Sequence, residues 1–351
     1  MNVENKIEQG VFSDGFPAKL FTLTNKVGST ISVMDIGATW LSCKIQLKQQ
    51  LREVLLGVDT MQKHLQQEVY LGATVGRYAN RIKEGKFVIN GQTFQTTTNQ
   101  AQHTLHGGIE GFDKRRWQVV EQRQDKITFS LTSPDGDQGF PGNLIVYVSY
   151  QFNDDNEVSI EYRANTDKTC PINLTNHAYF NLMGAESGEN CLSHELQINT
   201  DQYLPSDTNG IPLGDFQPTL NSSFDFLNKK TIKRDFLSDQ QQRQQAGYDH
   251  SFLLKQGYQD IQHAALTLTS PDKLLQLSVS TNKPVIHIYS GNFLNGCPSR
   301  TETNYSDHAG IALETQFPPN SPNNKHWPLP SVYLQPQQNY HSITRYGFKT
   351  L

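Results

Sequence analysis

The feature that most constrains this chain is a period-two alternation of apolar and polar residues that recurs along its length. Ile127-Thr-Phe129-Ser-Leu131-Thr alternates cleanly, as do Val158-Ser-Ile160-Glu-Tyr162-Arg-Ala164 and Leu275-Gln-Leu277-Ser-Val279-Ser, with Ala264-Ala-Leu266-Thr-Leu268-Thr in support. Successive side chains of a strand point to opposite faces, so the pattern describes strands with one buried and one wetter face. Leu144-Ile-Val-Tyr-Val-Ser-Tyr-Gln-Phe152 is more densely apolar and is expected deeper in a sheet. Turn chemistry separates the runs: Pro134-Asp-Gly-Asp, Asn153-Asp-Asp-Asn, and Asn90-Gly91 between Phe87-Val-Ile89 and Thr93-Phe94, the shape of a tight hairpin. Helix signals are few. Asp59-Thr60 caps a short helix through Leu65; Lys233 to Gln245 reads as a polar surface helix or loop, with Gln240 to Gln245 as solvated surface. Strand follows strand with no regular helix between, which predicts an all-β chain, a large antiparallel β-sandwich with few short helices. No internal repeat or linker breaks residues 1–351, so one domain is expected.

The bulk numbers exclude several classes. With 351 residues, 36% of them hydrophobic, the chain can bury a sizeable core. The formal net charge is −4 and the basic residues are scattered, so nothing draws a phosphate backbone and nucleic acid is not expected as a partner. No apolar run approaches the ~20 residues that span a bilayer. The N-terminal MNVENKIEQGVFSDG lacks the apolar core of a secretory signal, so a cytoplasmic location away from membranes is expected. Cys43, Cys170, Cys191 and Cys297 are far apart and match no zinc or CxxC spacing; reduced, buried thiols are expected, with no metal and no cofactor.

Five polar clusters remain once the strands are set aside. They are Gly76-Arg77-Tyr-Ala-Asn80-Arg81, His103-Thr-Leu-His106-Gly107-Gly108, Asn173-Leu-Thr-Asn176-His177-Ala-Tyr179-Phe-Asn181, Tyr248-Asp249-His250 and Leu313-Glu314-Thr315-Gln316. Together they pool the fixed donors and acceptors that a neutral, polyhydroxylated ligand needs, since each buried polar group left unpaired costs ~1–3 kcal/mol. Glu314 follows Gly310-Ile-Ala-Leu313, an apolar strand entering the core, where partial desolvation raises a carboxyl's pKa toward a useful base. The competing reading is a strand-end glutamate in an ion pair, with Arg81 as partner. His177 reads either as a hydrogen-bonded core histidine or as an acid titrating near its reference of ~6.5. Gly107-Gly108 after His106 suits a turn or close approach of a ligand to the backbone. Asp249 and His250 read as a binding pair or a loop hydrogen bond. No GxSxG elbow, Walker A loop or HExxH pattern is present.

Seven motifs in order carry a resemblance: Gly76-Arg-x-x-Asn-Arg81; Leu105-His-Gly-Gly108 with Gly111-Phe-Asp-Lys114 and Trp117; Ser133-Pro-Asp-Gly-Asp-Gln-Gly-Phe-Pro-Gly-Asn143; Asn173-x-x-Asn-His-x-Tyr-Phe-Asn-Leu182; Tyr248-Asp-His250; Tyr289-Ser-Gly-Asn-Phe293; and Leu313-Glu-Thr-Gln316. The set resembles the galactose mutarotase (aldose 1-epimerase) family from about residue 10 to the C-terminus. The resemblance implies a β-supersandwich that interconverts the α and β anomers of free hexoses such as galactose and glucose, without a cofactor. By motif, His177 is the implied general acid and Glu314 the implied general base, with Asn80, Arg81, His106, Tyr179, Asp249 and His287 as sugar contacts. At His287 the chain departs from relatives that commonly carry Gln, which touches specificity at one hydroxyl. Phe317-Pro-Pro-Asn also departs slightly and is read as rim. The implied partner is a small sugar, the implied assembly a monomer or homodimer.

Ring opening needs a proton taken from the C1 hydroxyl and one delivered to O5, and one carboxylate with one imidazolium supplies both. Three alternatives stay open at this level. A hexose-6-phosphate mutarotase would add a basic cluster, for which Arg77, Lys114, Arg115 and Arg116 are candidates. A non-catalytic carbohydrate-binding protein of the same fold would bind sugar without accelerating mutarotation. A retaining glycosidase would need two carboxylates ~5–5.5 Å apart, Asp249 and Glu314 here.

Overall fold

The computed structural model describes residues 4–48 and 50–351; the first three residues of the polar N-terminus read above lie outside the described residues. Its strands pair antiparallel in two principal sheets and a smaller third. The larger sheet has nine strands in the order 118–122, 126–133, 144–152, 157–166, 340–350, 275–281, 266–269, 195–198 and 230–231. A six-stranded sheet runs 179–180, 311–316, 285–289, 249–254, 200–204 and 217–218. Residues 20–24, 30–34, 39–46 and 51–53 form a four-stranded sheet. The three meet in one apolar core that draws on residues from Leu23 to Phe348. At the junction the Trp40 ring packs edge-on against Phe180 (5.8 Å between centroids) and Tyr346 (5.4 Å), one aromatic from each sheet.

The alternating runs fold as strands, and the reason is visible in their burial. Leu275–Thr281 buries every second residue, Leu275, Leu277, Val279 and Thr281. Leu144–Phe152 corrects the expectation of a deeper strand: it alternates too, and Ile145 and Tyr147 stay exposed on the open face. A densely apolar run there reflects β-propensity on a wet face, not burial on both sides. Asn90-Gly91 closes a tight hairpin between Lys86–Ile89 and Gln92–Gln95, both turn residues at positive φ as the mirror-image turn requires. The Thr60 side chain accepts the Lys63 N–H and caps the helix Met61–Gln66. Lys233 to Gln245 is a loop with a short helix at Gln240–Gln244. The glutamines there are not all solvated: Gln242 and Gln245 are buried. All four cysteines are free and buried. Among the described residues, no helix is long and apolar enough to cross a membrane.

The six-stranded sheet differs from the larger one in a way that matters for function. Ile311–Gln316 is buried along its whole length. Its Ile311 and Leu313 join Ile286, Ile288 and Phe252 of the neighbouring strands in the apolar core. The opposite face carries polar groups in register. Ser251 pairs with His287 and His287 with Glu314, so three strands place these side chains in one row. Asp249, Tyr289, Ala312 and Tyr179 form the adjoining row.

Candidate active site

That polar face floors a cleft enclosing about 280 Å³, near the small end of the ~300–1,000 Å³ usual for small-molecule sites. Asn80, Arg81, His106, His177, Tyr179, Asp249, His287 and Glu314 all line it. The residues that the sequence scatters over more than two hundred positions therefore share one concavity. A somewhat larger cavity, about 340 Å³ beside Phe317, Trp327 and Tyr333, contains no carboxylate or imidazole. Of the two, only the first brings carboxylates and imidazoles together.

At the floor, His177 Nε2 stands 3.6 Å from Glu314 Oε1. Both residues are buried, and His177 Nδ1 and Glu314 Oε2 have no hydrogen-bond partner. Burial pushes the Glu314 carboxyl up to about 8, helped by the negative charge of Asp249 and opposed by Arg81. Burial pushes the His177 imidazole down to about 4. Between those limits the two groups hold one proton between them, which makes one a donor and the other an acceptor. Glu314 forms no ion pair with Arg81, contrary to the competing sequence reading; Arg81 Nη2 lies instead 3.6 Å from Asp249 Oδ2.

Each wall is built by local chemistry. His177 sits in a turn whose backbone is tied to residues 72–73: its N–H donates to Ala73 and its carbonyl accepts from Gly72. Asn176 clamps the turn, Nδ2 donating to the Gly72 carbonyl and Oδ1 accepting the Ala178 N–H. Asn173 likewise spans to the Ala79 and Phe317 carbonyls, and Asn181 to those of Glu189 and Ala309. The three asparagines of that motif thus brace backbone and leave its His177 and Tyr179 for the cleft. Tyr179 packs its ring 4.9 Å from His177.

Asn80 and His106 hold one another. The Asn80 N–H donates to His106 Nδ1 (3.1 Å), and the His106 N–H donates back to the Asn80 carbonyl (3.1 Å). Both residues take positive φ, 65° and 51°, a strained backbone held by this exchange and by the Arg81–Leu105 pairing beside it. Because Nδ1 accepts, a neutral His106 carries its proton on Nε2. Burial, with the nearby His177 and Arg81, holds it well below the usual imidazole value, so it serves as a neutral donor. Gly107 corrects the ligand-approach reading: a Cβ there would meet the Gly76 carbonyl oxygen at 2.0 Å, so the glycine admits protein backbone.

His106, His177 and Glu314 bring potential ligand atoms within 4.8 Å of one another, the spacing of a metal site. The donor chemistry does not fit. A ligating histidine donates its far nitrogen to an acceptor, whereas the far nitrogen of His106 accepts the Asn80 N–H, leaving a proton where a metal lone pair is needed.

Across the cleft, Asp249 is fully engaged. Its Oδ1 accepts from His287 Nε2 at 2.6 Å, and its Oδ2 faces Arg81. Burial would raise its pKa, but the Arg81 charge and the His287 bond outweigh it and hold the carboxylate well below its ordinary range. Arg81 Nε donates to Gln100 Oε1, and the Asn80 side-chain oxygen accepts from the Arg81 backbone. His250, beside Asp249 in sequence, turns the other way and packs 4.8 Å from the Phe224 ring.

The cleft also contains residues that sequence reading missed. The Tyr70 ring packs tilted against His106 at 4.6 Å and stacks on His177 at 5.8 Å, on a backbone at φ 60°. Gln100, Gln244, Gln245 and Phe293 complete the rim. A tyrosine in a positive-φ turn carries no periodic signal, so only the fold reveals it. The basic candidates for a phosphate cluster lie elsewhere. Arg77 is buried among the carbonyls of 133–142, Lys114 Nζ donates to Ile109, Arg115 pairs with Asp137, and Arg116 pairs with Asp14 and Asp35. None of the four lines the cleft.

An antiparallel β-sandwich whose polar sheet face cups an imidazole–carboxylate pair has the make-up of a carbohydrate isomerase, and comparison with known proteins agrees. The family model described as aldose 1-epimerase matches residues 19–347. The aldose 1-epimerase of Escherichia coli is 48% identical over 95% of this chain and 96% of its own length. The galactose mutarotase of Sus scrofa is 36% identical over 91% and 90%. A solved aldose epimerase homologue from C. elegans superposes with a TM-score of 0.87, at 29% identity, covering 95% of this chain and 99% of that one. The chain belongs to the aldose 1-epimerase family and is an isomerase.

Proposed function

We propose that this protein interconverts the α and β anomers of free hexoses, galactose and glucose among them, with His177 and Glu314 as the acid–base pair. The observation that supports it is the buried 3.6 Å approach of His177 Nε2 to Glu314 Oε1, with one unpartnered atom on each residue. Burial favours the neutral forms of the pair, with the shared proton on Glu314. A bound sugar brings O–H donors to the free carboxylate oxygen. Donors to the charged form stabilise it, so the proton passes to His177. Glu314 then takes the C1 hydroxyl proton while His177 protonates O5, and the C1–O5 bond breaks. Rotation about C1–C2 and closure with the roles reversed give the other anomer. Each positioned group is worth roughly 10²–10⁴-fold.

The proposed sugar contacts are the polar groups that line the cleft. His106 offers a neutral Nε2–H, Arg81 a cation, and Asp249 an acceptor; Asn80, Tyr179 and His287 complete the shell. The engagement of Arg77 and Lys114 to Arg116 elsewhere favours a neutral hexose over its 6-phosphate. The core drawn from Leu23 to Phe348 supports a single working domain, and four unpaired thiols suit a reducing cytoplasm. Polarimetry on freshly dissolved α-D-galactose, α-D-glucose and α-D-glucose 6-phosphate tests the assignment. Greater kcat/KM on the free sugars is expected; sugar binding with no gain in mutarotation rate, or a preference for the phosphate, overturns it.

A further inference from the structure

Among the described residues two lysines are buried, Lys230 and Lys283, each 4% exposed. Burial of a lysine ordinarily requires a partner for the charge. Lys230 has one: Nζ donates to Asp235 Oδ2 at 2.7 Å and to the Ser223 carbonyl at 2.9 Å. Lys283 does not. Its backbone N–H is bonded to Thr281, but its Nζ meets no carboxylate and no hydrogen-bond acceptor among the described residues. The ammonium lies instead 4.4 Å over the Phe317 ring and 4.2 Å over the Tyr340 ring. The ring faces attract a cation, yet they leave its three N–H donors without an oxygen.

Lys283 and both rings line a cavity of about 250 Å³ that shares no residue with the catalytic cleft. No aspartate or glutamate lines it; its titratable groups are Lys283, His341, Tyr333 and Tyr340. His341 Nε2 is already bonded to Glu161 Oε1 at 2.7 Å. Burial pushes both phenols up, Tyr333 to about 12 and Tyr340 further, so they stay neutral. The wall also holds spare donors. Ser331 Oγ accepts the Tyr333 N–H and keeps its own proton to give, and Gln338 Oε1 accepts the Gln335 N–H and leaves its amide nitrogen free.

We infer that this cavity is a second binding site, which takes a small oxyanion, a carboxylate or a phosphate, on the Lys283 ammonium. The anion supplies both the counter-charge and the acceptor that the protein withholds. The volume is below the ~300–1,000 Å³ of ordinary small-molecule sites, which suits a ligand of a few heavy atoms. Burial without a counter-charge pushes the Lys283 pKa down to about 7. An opposite charge within ~4–6 Å favours the charged form, so binding raises that pKa. The same linkage makes binding strongest below pH 7 and weaker above it, where the free amine must first take up a proton.

The test follows the Lys283 side chain by NMR of protein labelled at the lysine Cε, with the Lys283→Met spectrum identifying its signal. The signal is titrated in low-salt buffer, and again with sodium acetate, inorganic phosphate or sodium chloride at equal ionic strength. Acetate or phosphate is expected to raise the midpoint saturably by about one unit, the low end of the ~1–3 unit effect of a neighbouring charge, and chloride far less. The more effective of the two names the class. The urea midpoint at pH 6 is expected to rise with the same anion in the wild type and not in Lys283→Met, because a ligand that binds only the folded state stabilises it. His341→Asn, which leaves Lys283 in place, is expected to keep both effects. A midpoint that all three salts move equally, or that none moves, means screening or an adventitious ion only and overturns the inference. So does an anion effect that survives in Lys283→Met or vanishes in His341→Asn. Lys283 does not line the catalytic cleft, so failure here leaves the acid–base reading untouched.

Discussion

Arg77 and Arg81 lie four residues apart in one motif, yet the structure gives them opposite duties, and Arg77→Met measures the difference. Arg77 is 2% exposed. Nη1 donates to the carbonyls of Pro141 (2.8 Å) and Gly142 (3.0 Å), and Nη2 to the carbonyls of Ser133 (3.0 Å) and Pro134 (3.2 Å) and to Ser133 Oγ (2.6 Å). The guanidinium also sits 5.7 Å over the Phe140 ring. It thereby ties the 133–142 turn to the segment that presents Asn80 and Arg81. Methionine fills much of the volume but strands buried acceptors, each worth ~1–3 kcal/mol if left unsatisfied. Removing a buried cation's own desolvation cost offsets part of that loss, since burial lowers the Arg77 pKa. A net loss of about 2–4 kcal/mol follows. With a urea slope of about 3 kcal/mol/M, the midpoint falls by roughly 1 M. KM of the folded fraction stays near wild type, because Arg77 does not line the cleft. Equilibrium urea unfolding at pH 7 followed by fluorescence makes the measurement. A midpoint within about 0.3 M of wild type, or a tenfold rise in KM without loss of stability, would refute this assignment.

Other perturbations follow from the same geometry. Arg81→Met removes the cation facing Asp249 and is expected to raise KM at least about tenfold and also to lower stability, by about 3 kcal/mol, because the buried carboxylate loses its charge partner, read from initial polarimetric rates and unfolding curves. Treatment with EDTA is expected to leave kcat unchanged, because the Asn80 N–H occupies His106 Nδ1 and fixes a proton on the nitrogen a metal would need; chelator-sensitive activity restored by zinc contradicts this. Lys283 has no acidic partner and sits 4.4 and 4.2 Å from the Phe317 and Tyr340 rings, where burial pushes its pKa down to about 7. Below pH 7 the folded state must bury an ammonium. Between pH 7 and the model-peptide value of ~10.4 the unfolded chain binds more protons, so stability rises with pH. Lys283→Met is therefore expected to stabilise the protein most at pH 6 and to lose that advantage by pH 10; a pH-independent difference in urea midpoint contradicts it.

Much of the scaffold was legible because a strand writes its burial into every second residue. Lys126–Ser133, Glu157–Thr166 and Leu275–Thr281 all formed where alternation placed them. Glu314 was legible as a carboxylate on an apolar strand because Gly310 to Leu313 lead into it, but it lies inside Ile311–Gln316 and not at the strand's end. Register was not. Nothing local says that Ser251, His287 and Glu314 lie in one row, since that depends on which strands pair and at what offset. The motif asparagines were equally opaque: Asn173, Asn176 and Asn181 bond carbonyls far away in sequence, so a residue type that suits sugar recognition serves the backbone instead. Gln242 and Gln245 were misread as solvated because composition does not distinguish a buried glutamine from one in water. Tyr70 left no trace at all, since its place depends on a turn braced by Gln67, whose side chain accepts the Val69 and Leu71 N–H groups.

In the proposed mechanism, one proton shared by His177 and Glu314 opens and closes the sugar ring. Its most direct test is the polarimetric kcat of Glu314→Gln and His177→Asn on freshly dissolved α-D-galactose, with circular dichroism to establish that both variants fold. Each substitution removes one member of the pair, so each is expected to lower kcat by about 10²–10⁴-fold with KM changed far less, and the double variant is expected to lose little more than either single one. Either folded single variant keeping kcat within about threefold of wild type would contradict the account.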